Sequence, residues 1–150
     1  MVESGRMIFL GTYKHTLDDK NRLTLPSKFI AKLPKNIYVS KGFEGCLEIR
    51  TPIEFEKRYE ALSQYSENKK DARNAARIYF SNSQELEIDS AKRILLPNEL
   101  INAAHIAKNV TIIGVGNKIE IWDENQYIKF QKAITPMYES IVEKLDESTK

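Results

Sequence analysis

Two aspartate–arginine pairs offer the most suggestive chemistry in this 150-residue chain. Asp18 precedes Arg22 by four positions, and Asp89 precedes Arg93 by the same interval. Across a tight turn, that spacing lets carboxylate and guanidinium form charge-assisted hydrogen bonds with each other, with the turn backbone or with a second subunit. Arginine's planar fork also suits bidentate contact with phosphate or guanine. Around the first pair stand Lys14, Thr16, Lys20, Thr24 and Lys28, side chains suited to phosphate oxygens and base edges.

The remaining reactive residues form no constellation. Cys46 is the single cysteine, which excludes an intramolecular disulfide and a thiol-based zinc site within one chain. It sits in an apolar strand pattern and reads as core filler. His15 and His105 read as surface or satisfied histidines, with phosphate contact a minor alternative for His15. There is no nucleophile elbow, phosphate-binding glycine loop or metal-ligand spacing, so catalytic residues, metal and cofactor are not expected, nor is an enzyme.

The pairs belong to a repeated string. Leu17-Asp18-Asp19-Lys20-Asn21-Arg22-Leu23-Thr24-Leu25-Pro26 recurs 71 residues later as Ile88-Asp89-Ser90-Ala91-Lys92-Arg93-Ile94-Leu95-Leu96-Pro97. Both read apolar-Asp-x-x-x-Arg-apolar-x-Leu-Pro, which marks an internal duplication. Leu23 and Leu25 alternate with Arg22 and Thr24 as strand residues do, and Ile94 and Leu96 repeat the pattern. Two strands are expected to meet at a tight polar turn in each copy, with Asn21 tolerating a left-handed conformation and Lys92 a poorer fit there. Pro26 and Pro97 end the strands.

Short helices are expected over 27–33 and from Asn98 to about His105, then apolar strands at 37–39 and 110–113. Glycine-containing turns at 42–45 and 114–116 lead to second arms at 46–49 and 118–121. Thr51-Pro52-Ile53-Glu54 signals a capped helix with a capping box, and Asp123-Glu124-Asn125-Gln126 a second start. Pro136 should break that helix before a last segment at 137–145, and the stretch 68–80 reads as a helix joining the units. The expected organisation is a disordered lead or tag remnant at 1–6, a first repeat at 7–66, a helical connector at 67–81, and a second repeat with C-terminal helices at 82–150. Met7 is a candidate native first residue.

A chain of this length buries about two thirds of its unfolded surface, whereas each repeat alone would be marginal, so the copies should fold against each other, interleaved. No apolar run approaches the ~20 residues of a membrane span, and no secretory signal is visible, pointing to a soluble, cytoplasmic protein. Net charge is only +2. Its distribution is uneven: the stretch 10–35 carries +4, whereas 81–108 carries −1. Where the first copy offers Lys14 and Thr16, the second offers Glu85 and Glu87, which would repel a phosphate backbone. The first hairpin is therefore the candidate reader, and the second is structural.

Leu10-Gly11-Thr12-Tyr13, the string from Leu17 to Pro26 and a second Asp-x-x-x-Arg unit about seventy residues on resemble the MraZ family. The resemblance runs from Ile8 to about Tyr138. It implies the AbrB/MazE-like swapped-hairpin superfamily: an α+β, β-rich fold in which two tandem AbrB-like units interleave into a β-barrel-like core with flanking helices. It further implies a nucleoid-associated, DNA-binding transcriptional regulator of the division and cell-wall gene cluster, acting on repeated promoter sites as a closed-ring homo-oligomer. The family's usual Asp-x-Lys-Gly-Arg has glycine where Asn21 stands, and Lys92 occupies the equivalent point of the second copy. The candidate DNA-binding residues are Lys14, Thr16, Lys20, Arg22, Thr24 and Lys28, and the structural motif is Asp18, Arg22, Asp89 and Arg93. The alternative is an oligomeric protein- or RNA-binding scaffold.

Overall fold

Alternation along the chain sets the strands, and the joint burial of both copies around one core sets how they pair. A computed structural model describes residues 8–148, and the lead expected at 1–6 lies outside them. The first copy supplies β1 (Thr12–Thr16), β2 (Arg22–Thr24), α1 (Ser27–Ile30), β3 (Asn36–Lys41), β4 (Leu47–Arg50) and α2 (Pro52–Ser63). After α3 (Lys70–Ser81), the second supplies β5 (Ser83–Glu87), β6 (Arg93–Leu95), α4 (Asn98–Ala103), β7 (Asn109–Gly114), β8 (Ile119–Asp123) and α5 (Glu124–Ile134). A 3-10 turn over Thr135–Met137, holding Pro136, separates α5 from α6 (Tyr138–Ser148).

The copies exchange strands. The order β1-β7-β8-β4-β3-β5 makes one six-stranded sheet, antiparallel throughout, and β2 pairs with β6 as a separate two-stranded ribbon. Each first strand thus lies against the third strand of the other copy: β1 on β7, β5 on β3. Two registers make this a local two-fold arrangement, with Leu23 opposite Ile94 in the ribbon and Glu48 opposite Glu120 where β4 meets β8. The fold is α+β and interleaved, and no closed barrel is found among the described residues.

One expectation about local pairing is corrected. β1 and β2 meet at the tight turn but do not form a ladder with each other, and neither do β5 and β6. The reason is that Asp18 and Asp89 satisfy the turn's own N–H groups, leaving the strand edges to pair with the other copy, where their apolar faces are also buried.

Ile37, Val39, Leu47, Ile49, Val110, Ile112, Ile119 and Ile121 turn one face of the sheet into the core. Leu23, Leu25, Ile94 and Leu96 of the ribbon, with Phe29, Leu100 and Ile101 of α1 and α4, close it from the other side. Burial of each such side chain contributes about 1.5–3 kcal/mol, so the ribbon's four apolar residues hold it firmly in place. On the opposite sheet face, Tyr38 stacks on Phe55 of α2 at 4.2 Å, and Trp122 packs against Phe130 of α5 at 4.9 Å.

The helix starts follow their caps. Thr51 Oγ1 accepts from the Glu54 N–H at 3.3 Å, while the Glu54 carboxylate accepts from Lys57 and Asn117, so half of the expected capping box forms. Asp123 caps α5 through the Gln126 N–H, and its other oxygen accepts from Ala107. Gly114 has a different role from the turn expected of it: a Cβ there would lie 2.3 Å from the Phe9–Leu10 backbone, which crosses at that point.

Candidate nucleic-acid interface

The two Asp-Arg turns are built alike. Asp18 Oδ1 accepts the backbone N–H groups of Lys20 and Arg22 at 2.9 and 2.8 Å, and Oδ2 accepts from Arg22 Nε at 2.7 Å. Asp89 does the same for Ala91 and Arg93, with Arg93 Nε at 3.0 Å. The Arg22 backbone bond, reinforced by the guanidinium, pulls the Asp18 carboxyl down to about 2, and the equivalent bonds from Arg93 lower Asp89. The fourth turn residue takes a left-handed conformation in both copies, Asn21 at φ 62° and Lys92 at φ 66°. Lysine is therefore forced into the conformation it fits poorly.

The turns also grip each other. Leu96 donates its N–H to the Asn21 carbonyl and Leu25 to the Lys92 carbonyl, both at 3.0 Å, and Asn21 Nδ2 donates to Asn98 Oδ1 at 2.8 Å. Register then fixes what the ribbon displays. Leu23 and Ile94 point into the core, so Arg22, Thr24, Arg93 and Leu95 share the outward face. Arg93 lies directly opposite Thr24, and Arg22 opposite Leu95.

The candidate residues fall into three groups. Arg22 and Thr24 stand on the ribbon, and Lys20 is exposed in the adjoining turn. Lys14 and Thr16 are exposed on β1, in the other sheet, where Thr16 Oγ1 donates to Asn109 Oδ1 at 3.2 Å. Lys28 is exposed on α1, at a shallow groove shared with Tyr13 and Lys32. Burial lowers the pKa of His15, which lies between Lys14 and Thr16 on β1. β1 and β5 are the two edges of the sheet, one presenting Lys14 and the other Glu85. The residue pattern alone favours a scaffold role for Arg93. Its place beside Thr24 was not visible there, because the cross-copy register is a tertiary fact.

A second cluster lies at the centre of the sheet. Glu48 and Glu120 face each other across β4 and β8, and Lys118 Nζ reaches both, at 2.6 and 3.4 Å. Arg50 donates to Glu48 as well and to the Tyr79 hydroxyl at 3.2 Å. Burial pushes Glu48 upward, yet the bonds from Lys118 and Arg50 prevail and hold it low. Cys46 brings its sulfur within 4.8 Å of both carboxylates. Lys118 and Arg50 already engage Glu48, Lys118 also reaches Glu120, and burial pushes the thiol up to about 12, so the two carboxylates serve as ion-pair partners and Cys46 as a buried, protonated side chain.

No helix among the described residues is long and apolar enough to cross a membrane. The chain matches the family described as "MraZ protein, putative antitoxin-like" twice, over residues 8–78 and 79–147. It is 46% identical over 138 residues to "Transcriptional regulator MraZ" of Mesoplasma florum, covering 91% of this chain and 94% of that one. Identity to the protein of the same name from Mycoplasmoides gallisepticum is 41% over 140 residues, covering 93% and 99% of the two chains. To that of Heliobacterium modesticaldum it is 36% over 138 residues, covering 92% and 96%. The doubled match falls on the same duplication that the Asp-Arg turns mark, and the chain belongs to the MraZ family.

Proposed function

We propose that this protein is a sequence-specific, DNA-binding transcriptional regulator. Its relatives carry the name of transcriptional regulator, and the observation that carries the reading here is the ribbon. Its outward face presents Arg22 and Thr24 next to the exposed Lys20, on a base rigidified by Asp18 and by the other copy's backbone. A rigid two-stranded ribbon is of a size to enter the major groove, where arginine reads guanine and threonine meets phosphate or the thymine methyl. Lys14, Thr16 and Lys28 supply contacts to the phosphates on either side, while Asp18, Arg22, Asp89 and Arg93 keep the turns in shape. We read the strand exchange as the swapped-hairpin arrangement, with ribbon and sheet enclosing a barrel-like core.

The target is the promoter of the division and cell-wall gene cluster, read at repeated short sites by a homo-oligomeric, closed ring in the cytoplasm at the nucleoid. Single contacts of a few residues are weak, and several copies held together gain through effective concentration when the sites repeat. Footprinting on the DNA upstream of the protein's own gene tests this. Periodic protection that scrambled DNA of equal length does not give is the expected result. Equal, salt-labile binding to both DNAs would refute sequence-specific regulation.

A further inference from the structure

A basic groove and an acidic amphipathic helix, far apart in sequence, match one another. The groove, of about 460 Å³, lies between the α2–α3 pair and the sheet. Phe43, Leu62, Ala75 and Ile78 line it with apolar surface, Phe43 being 70% and Ile78 56% exposed. Lys41, Arg50, Arg58 and Lys118 face it against a single carboxylate, Glu48, which Arg50 and Lys118 already engage. No lining residue comes from α6.

Helix α6 carries the complement. Tyr138, Ile141, Val142 and Leu145 recur at the spacing of one helical face, and Tyr138 is 68% exposed. Glu139, Glu143, Asp146 and Glu147 form a parallel stripe at that same spacing, and with Lys144 they give α6 a charge of −3. A helix offering apolar and acidic stripes side by side is what an apolar groove rimmed with cations accepts.

We infer that the groove takes α6 of a second copy of this chain, with Arg58 and Lys41 meeting its acidic stripe. This rests on the reading of the protein as a homo-oligomer and names the faces that join. The contact is heterologous, helix of one copy into groove of the next, so it propagates from copy to copy and closes wherever the rotation permits.

Charge reversal on full-length protein tests it. One variant carries Lys41→Glu with Arg58→Glu, and the other carries Glu139→Lys with Glu143→Lys; Lys41, Glu139 and Glu143 are exposed, Arg58 is half-buried over the Tyr79 ring at 5.5 Å, and circular dichroism with Lys41→Glu alone as a second groove variant checks that the fold is kept. Analytical ultracentrifugation should find each variant alone smaller than the unmodified protein at equal concentration. An equimolar mixture should recover large assemblies, because each reversed groove then meets a reversed helix. Full-sized assemblies in either variant alone would overturn the inference while leaving the homo-oligomer intact, as would a groove that serves another acidic partner. Loss without recovery on mixing would overturn it too, and an unmodified protein that sediments as a monomer would remove both readings.

Discussion

Leu96 donates its backbone N–H to the carbonyl oxygen of Asn21 at 3.0 Å, so the strand that leaves one Asp-Arg turn is fastened to the apex of the other. Leu25 and Lys92 repeat the bond in reverse. Neither turn can relax without loosening its counterpart, and both apices are held in a left-handed conformation.

That constraint costs Lys92 more than Asn21. A left-handed conformation is unfavourable by about 1–2 kcal/mol for an ordinary L-residue, and glycine escapes it at an entropic cost of roughly 0.5–1 kcal/mol. Lys92→Gly should therefore raise stability by about 0.5–1 kcal/mol in denaturant unfolding. Asn21→Gly should bring no gain, because it removes the bond to Asn98.

Acid should weaken the turns. Asp18 titrates at about 2 in the folded chain against an ordinary 3.8, and Asp89 is lowered too. A depressed carboxylate stabilises fully above its unfolded value and loses that contribution as pH falls through the folded one. Unfolding midpoints should decline between about pH 4 and pH 2, and Asp18→Asn, destabilised near neutral pH, should decline less steeply over that window.

If the first turn reads DNA, Lys14→Ala and Lys20→Ala should each flatten the salt dependence of binding by roughly one unit and weaken all sequences alike. Arg22→Ala should abolish preference for the promoter, while Arg93→Ala should act chiefly on folding or assembly. Binding titrations with light scattering decide this. Equal loss of DNA binding in both arginine variants, with intact oligomers, would refute the division between the turns.

Leu23 and Ile94 face each other, fully buried, at the centre of the ribbon. Leu23→Ala should cost about 2–5 kcal/mol. Combined with Ile94→Ala, the loss should depart from the sum of the single losses by about 0.5–3 kcal/mol, since the two side chains share one site; a chemical-denaturation double-mutant cycle measures it.

Cys46 is buried, and its thiol sits at about 12. A thiol reagent at mildly alkaline pH should leave it unmodified in the native protein and react on addition of denaturant. Rapid reaction under native conditions would mean that the β4 region opens locally.

The duplicated string, taken alone, determined a great deal. The Asp-x-x-x-Arg spacing fixed two turns in which carboxylate and arginine bond each other, because those contacts close within five residues. Thr51 and Asp123 fixed two helix starts and Pro136 a helix break, for the same local reason. The interleaving itself was expected, since neither copy could bury enough surface alone. Which edges exchange was decided only in three dimensions: β1 could ladder with β2 or with β7, and the alternation of apolar residues is the same either way. The face shared by Arg22, Thr24 and Arg93 depends on that choice, as does the meeting of Glu48 with Glu120 and Lys118. Period-2 patterning says which side of a strand is buried, but the partner and register come from the joint burial of both copies around one core.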